Sequence, residues 1–227
     1  MSQGYQLPSR RLLAVLFFIT AALWTGFRVL RTLTTWLQLG GSKHGMTGSL
    51  ILAWVPLGFA YAWVRMRERR DRLRLLAPPC ALLWLLFYPN APYLSTEFLH
   101  LKSVADPIYW QPMVLLTGSA LLGLVTGFFS LEIFRSACSR RWGSSAGWLL
   151  VIGVAGLSGI GIYFGRVLRF NSWWVFSRFD RMQEQLGNWF FSVPEHPQSL
   201  WFAAGFATLI AASHWLLYEL RHHETPP

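Results

Sequence analysis

Glu97 and His100 stand three residues apart in the stretch FYPNAPYLSTEFLHL, at the end of an apolar run. On a helix this spacing places both side chains on one face, where a carboxylate and an imidazole could act as acid and base. The same spacing occurs in the Glu-x-x-His pairs of carboxylate-bridged metal sites, so a mononuclear metal site completed by Asp106 is an alternative. The simplest interpretation is a hydrogen-bonded pair that anchors the helix, with no cofactor.

A second set of polar residues follows in the stretch GIYFGRVLRFNSWW. Arg166 and Arg169 share a face of a continuing helix, and Asn171 comes two residues later. Guanidinium groups bind phosphate and carboxylate oxygens through paired hydrogen bonds, so these residues predict an anion-binding clamp. Two alternatives are that the arginines reach lipid phosphates beside an interfacial Trp173, or that one of them pairs with Glu97.

The two prolines of the first stretch determine how its polar residues are presented. Pro89 and Pro92 each lack an amide donor and disfavour helix in the preceding residue, so they should end the apolar helix near residue 87. Asn90 is expected to cap the next helix by accepting from its first amides. That helix, residues 92–101, lies at the membrane interface or folds back into the bundle. It carries three polar residues on one face: Tyr93, Glu97 and His100.

Composition places these stretches in a membrane protein. The chain is 53% hydrophobic and only 13% charged, whereas soluble domains carry about a quarter charged residues. Five stretches of more than 20 residues lack Asp, Glu, Lys and Arg, and a spanning helix needs about 20 apolar residues. We therefore predict an all-α polytopic integral membrane protein, a single membrane domain over 1–227. Its six predicted spans are about 11–33, 46–64, 73–88, 111–134, 146–165 and 198–218.

The net charge of +10 is distributed at the ends of the apolar runs, where it sets orientation, and we predict no nucleic-acid partner. The block RMRERRDRLR dominates one side of the predicted topology. The positive-inside rule then places both termini in the cytoplasm and both polar stretches outside. Expected partners are the lipid bilayer and its anionic lipids. Cys80 and Cys138 lack metal-ligand spacing and are interpreted as packing residues.

Two further patterns bear on packing. Residues 172–190 alternate apolar and polar at helical spacing, which predicts an amphipathic surface helix that could cap a cavity or dock a protein partner. Gly123 and Gly127 form a small-xxx-small pair in the fourth span, and Gly161 and Gly165 form another in the fifth. Small residues let membrane helices approach closely, so we expect these two spans to pack centrally.

The motifs PNAPYLSTEFLHL and GRVLRFNSW together resemble an uncharacterised bacterial family of integral membrane proteins, domain of unknown function thirteen sixty-one. The resemblance runs from about the second span to the surface helix and implies a bacterial cytoplasmic (inner) membrane location, but no activity. The family pattern has an acid at Glu97 and a histidine at His100. It also has a Trp-aromatic-Asp step where this chain reads YWQ, so an acidic role at that step would fall to Asp106 or be absent.

Three functions fit these residues. The first is binding of an anionic lipid or solute at an outward-facing polar site. The second is an enzyme that acts on a phosphate-bearing lipid at the outer leaflet, with Glu97 or His100 as acid or base. The third is a structural or assembly subunit. Because the chain has no nucleophile elbow, P-loop or zinc-protease motif, we favour binding over catalysis.

Overall fold

A computed structural model of the protein describes residues 7–36, 46–69, 72–97, 110–167, 177, 179–192 and 197–223. Within these ranges the regular structure is helical, which confirms the predicted all-α class. The α-helices are α1 (Arg10–Trp36), α2 (Met46–Leu52), α3 (Val55–Glu68), α4 (Ala77–Phe87), α5 (Asn90–Tyr93), α6 (Trp110–Trp142), α7 (Ser144–Arg166), α8 (Phe179–Ser192) and α9 (Pro197–His223). A 3-10 helix, Arg72–Leu76, precedes α4.

Five stretches of the described chain are long and apolar enough to cross a membrane, so the protein is a polytopic membrane protein. They are Arg10–Arg28, Gly48–Glu68, Met113–Trp142, Ser144–Arg166 and Pro197–Arg221. The second of them is divided at residues 53–54, where α2 ends and α3 begins with Pro56 in its first turn. A proline there removes an amide donor without breaking the helix that follows it.

The predicted third span, 73–88, does not form one long helix. Its first residues form the 3-10 helix, and α4 covers only 11 residues, which is about 17 Å at 1.5 Å per residue. Prolines account for this length, because Pro78 and Pro79 lie in the first turn of α4 and Pro89 follows its end. A crossing of the membrane by this segment stays a prediction, since the hydrocarbon core is about 30 Å thick.

The fourth predicted span extends well beyond its expected end. We expected it to end near residue 134, whereas α6 continues to Trp142. Gly143 then adopts a left-handed backbone, with φ of 89°, and donates its amide to the carbonyl of Ser139 at 2.9 Å. Glycine is favoured after a helix end because this conformation strains residues with a side chain. The turn leads directly into α7.

The described chain forms two compact units, Met1–Gly147 and Trp148–Pro227. In the first, α1 and α6 pack by reciprocal contacts between leucine and glycine. Leu115 covers the Cα of Gly26, and Leu23 covers that of Gly118. A buried apolar cluster joins these helices to α2 and to the segment after α5; it contains Leu16, Leu23, Phe27, Leu50, Ala53, Leu94, Leu116 and Leu122.

Aromatic stacking holds the short α4 in the first unit. Phe134 of α6 stacks on Trp84 of α4 with a centroid distance of 3.9 Å and lies 4.5 Å from Trp63 of α3. The indole nitrogen of Trp84 donates to the buried hydroxyl of Ser130 at 2.6 Å. Contacts with α3 and α6 therefore hold α4 in place.

Candidate functional site

The proline-broken segment begins where α4 ends at Phe87. The side-chain amide of Asn90 donates to the carbonyl of Phe87 at 2.9 Å, and the first turn of α5 has no side-chain cap. Our expectation that Asn90 caps the following helix was therefore wrong. The usual donor to the carbonyl of Phe87 would be the amide of Ala91, which instead donates to the carbonyl of Tyr88 at 3.1 Å, and the side chain of Asn90 takes its place.

After α5 the backbone narrows to a 3-10 helix over residues 94–97. Ser95 and Thr96 donate their hydroxyls to the carbonyls three residues earlier, at 2.6 and 2.7 Å. A 3-10 helix has three residues per turn, so Leu94 and Glu97 share a face rather than Tyr93 and Glu97. The predicted common face of Tyr93, Glu97 and His100 assumed continuous α-helical geometry, which this turn lacks up to residue 97.

This segment folds back onto α6. A Cβ atom on Gly123 would collide with the carbonyl oxygen of Ala91, so the backbones of the two elements touch at that point. One turn later, a Cβ on Gly127 would lie 3.5 Å from the Cβ of Ala91 and 3.7 Å from the hydroxyl of Tyr88. The glycine pair was predicted to let the fourth span pack on the fifth, whereas the backbone that approaches Gly123 is that of the proline-broken segment.

Glu97 is enclosed by this arrangement. Glu97 is only 6% exposed. Ala91, Pro92 and Thr96, which precede it in the sequence, are also buried. Over its described residues, up to Glu97, the segment folds back onto α6, which is one of the two placements expected for it. A charged carboxylate loses its hydration when it is buried, which costs free energy. The surroundings of Glu97 are therefore provided by protein groups rather than by water. His100 and Asp106 lie outside the described residues.

Of the predicted residues of the second candidate site, only Arg166 lies within the described residues. Arg166 is the half-buried last residue of α7, and Val167 closes the helix by donating its amide to the carbonyl of Tyr163 at 2.8 Å. A cation here is favoured by the negative end of the helix dipole. Arg169, Asn171 and Trp173 lie outside the described residues, so the clamp of two arginines and an asparagine stays a prediction.

An aromatic cluster lies directly before Arg166 in the second unit. Trp189 of α8 packs 5.3 Å from Phe164 and 6.1 Å from Tyr163, measured between ring centroids. Phe202 of α9 contacts Tyr163 from another side, at 5.8 Å. The amphipathic helix predicted at 172–190 is therefore present over Phe179–Ser192 and is anchored by Trp189 beside the end of α7.

Sequence reasoning missed one polar pair. In α6, Arg135 donates two hydrogen bonds of 2.6 Å to the carboxylate of Glu132, one to each oxygen. Glu132 is 0% exposed and Arg135 is 5% exposed, inside the Met113–Trp142 candidate span. The signal was available, because an acid followed three residues later by an arginine can pair on one helix face. Neither residue was among the predicted site residues.

The alternative of a metal site at Glu97, His100 and Asp106 stays a prediction, because His100 and Asp106 lie outside the described residues. Within the part of the chain that the structure describes, no three or more His, Cys, Asp or Glu side chains come together as possible ligands. Glu97 belongs to the first unit and Arg166 to the second, so a direct pair between them stays a prediction.

No curated protein and no solved structure matches this sequence. The family model for proteins of unknown function, DUF1361, matches residues 49–212, which is well over half of the chain. That range contains the proline-broken segment, the paired charges of α6 and the end of α7. The chain therefore belongs to the DUF1361 family of proteins of unknown function.

Proposed function

We propose that this membrane protein binds an anionic lipid headgroup, or a solute with the same anionic chemistry, at the end of α7. The observation that carries the proposal is the packing of Trp189 on Tyr163 and Phe164, immediately before Arg166. Tryptophan and tyrosine favour the depth at which lipid headgroups lie. Because Arg166 follows Tyr163 and Phe164 within α7, we assign its guanidinium to that depth.

The electrostatics of this end of α7 favour an anion. Arg166 is half-buried, so its charge is less screened than that of an arginine in water. A phosphate can accept two parallel hydrogen bonds from one guanidinium, which gives both affinity and orientation. Arg169 and Asn171 would add a second cation and an amide donor if α7 continues as the sequence predicts.

We assign the proline-broken segment no part in this anion site. Its backbone is fixed against Gly123 of α6, and its carboxylate, Glu97, has the wrong sign to bind an anion. The alternative in which Glu97 and His100 transfer protons on a phosphate-bearing lipid stays a prediction. So does the alternative of an assembly subunit that uses α8 as a docking surface.

We further propose a location in the bacterial inner membrane with both termini in the cytoplasm. Arg140 and Arg141 end α6, and Arg65 and Arg67 end α3, which supports placing both connections on the cytoplasmic side. The five long apolar stretches alone would put the termini on opposite sides. Cytoplasmic termini therefore require the segment around α4 to cross as well, which a reporter fused after His223 would test.

Lipid retention measured by native mass spectrometry tests the binding proposal. The protein is purified in detergent with phosphatidylglycerol or with phosphatidylcholine, and the bound lipid is counted for the native chain and for Arg166→Gln. One charge-assisted phosphate contact corresponds to about a tenfold or greater loss of affinity when it is removed. We expect the native chain to retain phosphatidylglycerol selectively and Arg166→Gln to lose that selectivity.

Arg11→Gln is the matched control, because Arg11 is an exposed arginine near the end of another candidate span. Equal losses from both variants would show general charge attraction and would overturn the proposal. Competition with inorganic phosphate then separates the two anion sources. Displacement of the retained lipid by phosphate indicates a site that accepts a free anion, and retention indicates a site that needs the whole lipid.

A further inference from the structure

The connection between α3 and α4 combines exposed arginines with exposed leucines. Its described residues, 65–69 and 72–76, form what we call the basic connection. They include five exposed arginines against one exposed glutamate, Glu68. The exposed arginines are Arg65, Arg67, Arg69, Arg72 and Arg74.

Leucine exposure is high in the same segment. In the 3-10 helix Arg72–Leu76, Leu73 is 42% exposed, Leu75 is 76% exposed and Leu76 is 46% exposed. None of the five residues of this helix is buried. The apolar area that these three leucines expose is unfavourable in water, by an amount proportional to that area.

One arginine of the basic connection is held in place by the core of the first unit. The guanidinium of Arg67 lies 4.9 Å from the ring centroid of Trp63, which is only 7% exposed and stacks on Phe134. A cation over an indole face is stabilised electrostatically, and this geometry limits the orientations open to Arg67. The positive surface therefore starts from an arginine in contact with a buried tryptophan at the end of α3.

We propose that the basic connection is a docking surface for the anionic lipid headgroups of the membrane leaflet that it faces. Its net positive charge complements lipid phosphates, and its leucines match the acyl boundary just below them. Arginine suits this position because its apolar stem can lie along hydrocarbon while the guanidinium reaches the headgroup. Clusters of basic residues directly beside a membrane-spanning helix bind anionic lipid in the same way. This surface is separate from the end of α7 and does not depend on binding there.

Hydrogen exchange in nanodiscs tests the surface. The full chain is reconstituted in phosphatidylcholine alone or in phosphatidylcholine with phosphatidylglycerol, and amide exchange of residues 65–76 is followed by mass spectrometry. One basic residue near an anionic surface corresponds to about a fivefold gain in binding. We therefore expect exchange to be roughly tenfold slower, or more, in discs that contain phosphatidylglycerol, and less so at high salt.

The double variant Arg72→Gln with Arg74→Gln should exchange its amides in the basic connection equally fast in the two kinds of disc. The control Arg10→Gln with Arg11→Gln removes the same amount of charge from exposed positions at the start of α1. It should keep the slower exchange in discs that contain phosphatidylglycerol. Exchange that is equally fast in both discs for the native chain overturns the proposal. Equal losses from both double variants also overturn it. If inorganic phosphate or duplex DNA slows exchange of these residues in phosphatidylcholine discs, the surface binds another anion, and the proposal that it binds lipid is overturned.

Discussion

Neutralising one member of the Glu132–Arg135 pair should destabilise the protein far more than neutralising both. The two groups share two hydrogen bonds of 2.6 Å and are 0% and 5% exposed. Glu132→Leu leaves a buried guanidinium without its carboxylate, and Arg135→Met leaves a buried carboxylate without its cation. Each single change should lower the free energy of unfolding by about 3–5 kcal/mol.

In the double variant Glu132→Leu with Arg135→Met, both charges of the pair are removed. The new side chains fill a volume similar to that of the native ones. Its stability should lie within about 1–2 kcal/mol of the native chain, because well-packed apolar residues often replace a buried ion pair without loss. The cycle of four proteins therefore gives a coupling free energy of at least about 3 kcal/mol. Equilibrium unfolding in mixed micelles, followed by tryptophan fluorescence, measures each free energy of unfolding.

Glu68→Gln is the control, because Glu68 is exposed at the end of α3 and its removal should change stability by less than about 0.5 kcal/mol. Additive single effects, with the double variant as unstable as their sum, would refute the reasoning. So would a Glu132→Leu protein as stable as the native chain. Either result would mean that the two side chains are solvated or stabilised separately.

Three further predictions concern packing. Gly123→Ala should destabilise the protein by about 1–3 kcal/mol in thermal unfolding, since its Cβ meets the backbone of the proline-broken segment, whereas Gly127→Ala should change stability by less than about 1 kcal/mol. Trp84→Phe should cost about 1–3 kcal/mol by leaving the buried hydroxyl of Ser130 without its donor, and adding Ser130→Ala should recover part of that loss in the same measurement. Trp189→Ala should speed hydrogen exchange in α8 while leaving α6 unchanged, because Trp189 anchors α8 on α7; unchanged exchange in α8 would show that other contacts hold it.

The sequence predicted the all-α class and most of the spans because long apolar runs leave few alternatives to membrane helices. It did not predict their internal breaks. The 75–88 run has no charged residue, yet prolines at both ends shorten its helix to 11 residues. Backbone hydrogen bonding, rather than hydropathy, determined that outcome.

The candidate site was predicted in part. Sequence spacing identified the proline-broken segment, but face assignments at i and i+4 failed where the backbone became a 3-10 helix at residues 94–97. The Glu132–Arg135 pair was missed because charges at the ends of the apolar runs were interpreted only as setting orientation. A charge ends a span only when it must reach water, and a partner three residues away removes that need.

The shortness of α4 has a consequence for how the protein is made. An apolar helix of 11 residues is too short to be held across a bilayer by its own contacts with lipid. The α6 residues that hold it, Ser130 and Phe134, together with Gly123 beneath the segment after it, are synthesised later than α4. During translation α4 can therefore pack on α3 as soon as it emerges, whereas its contacts with Ser130 and Phe134 form only after α6 emerges. Its final placement is a step of assembly between helices and follows the initial insertion.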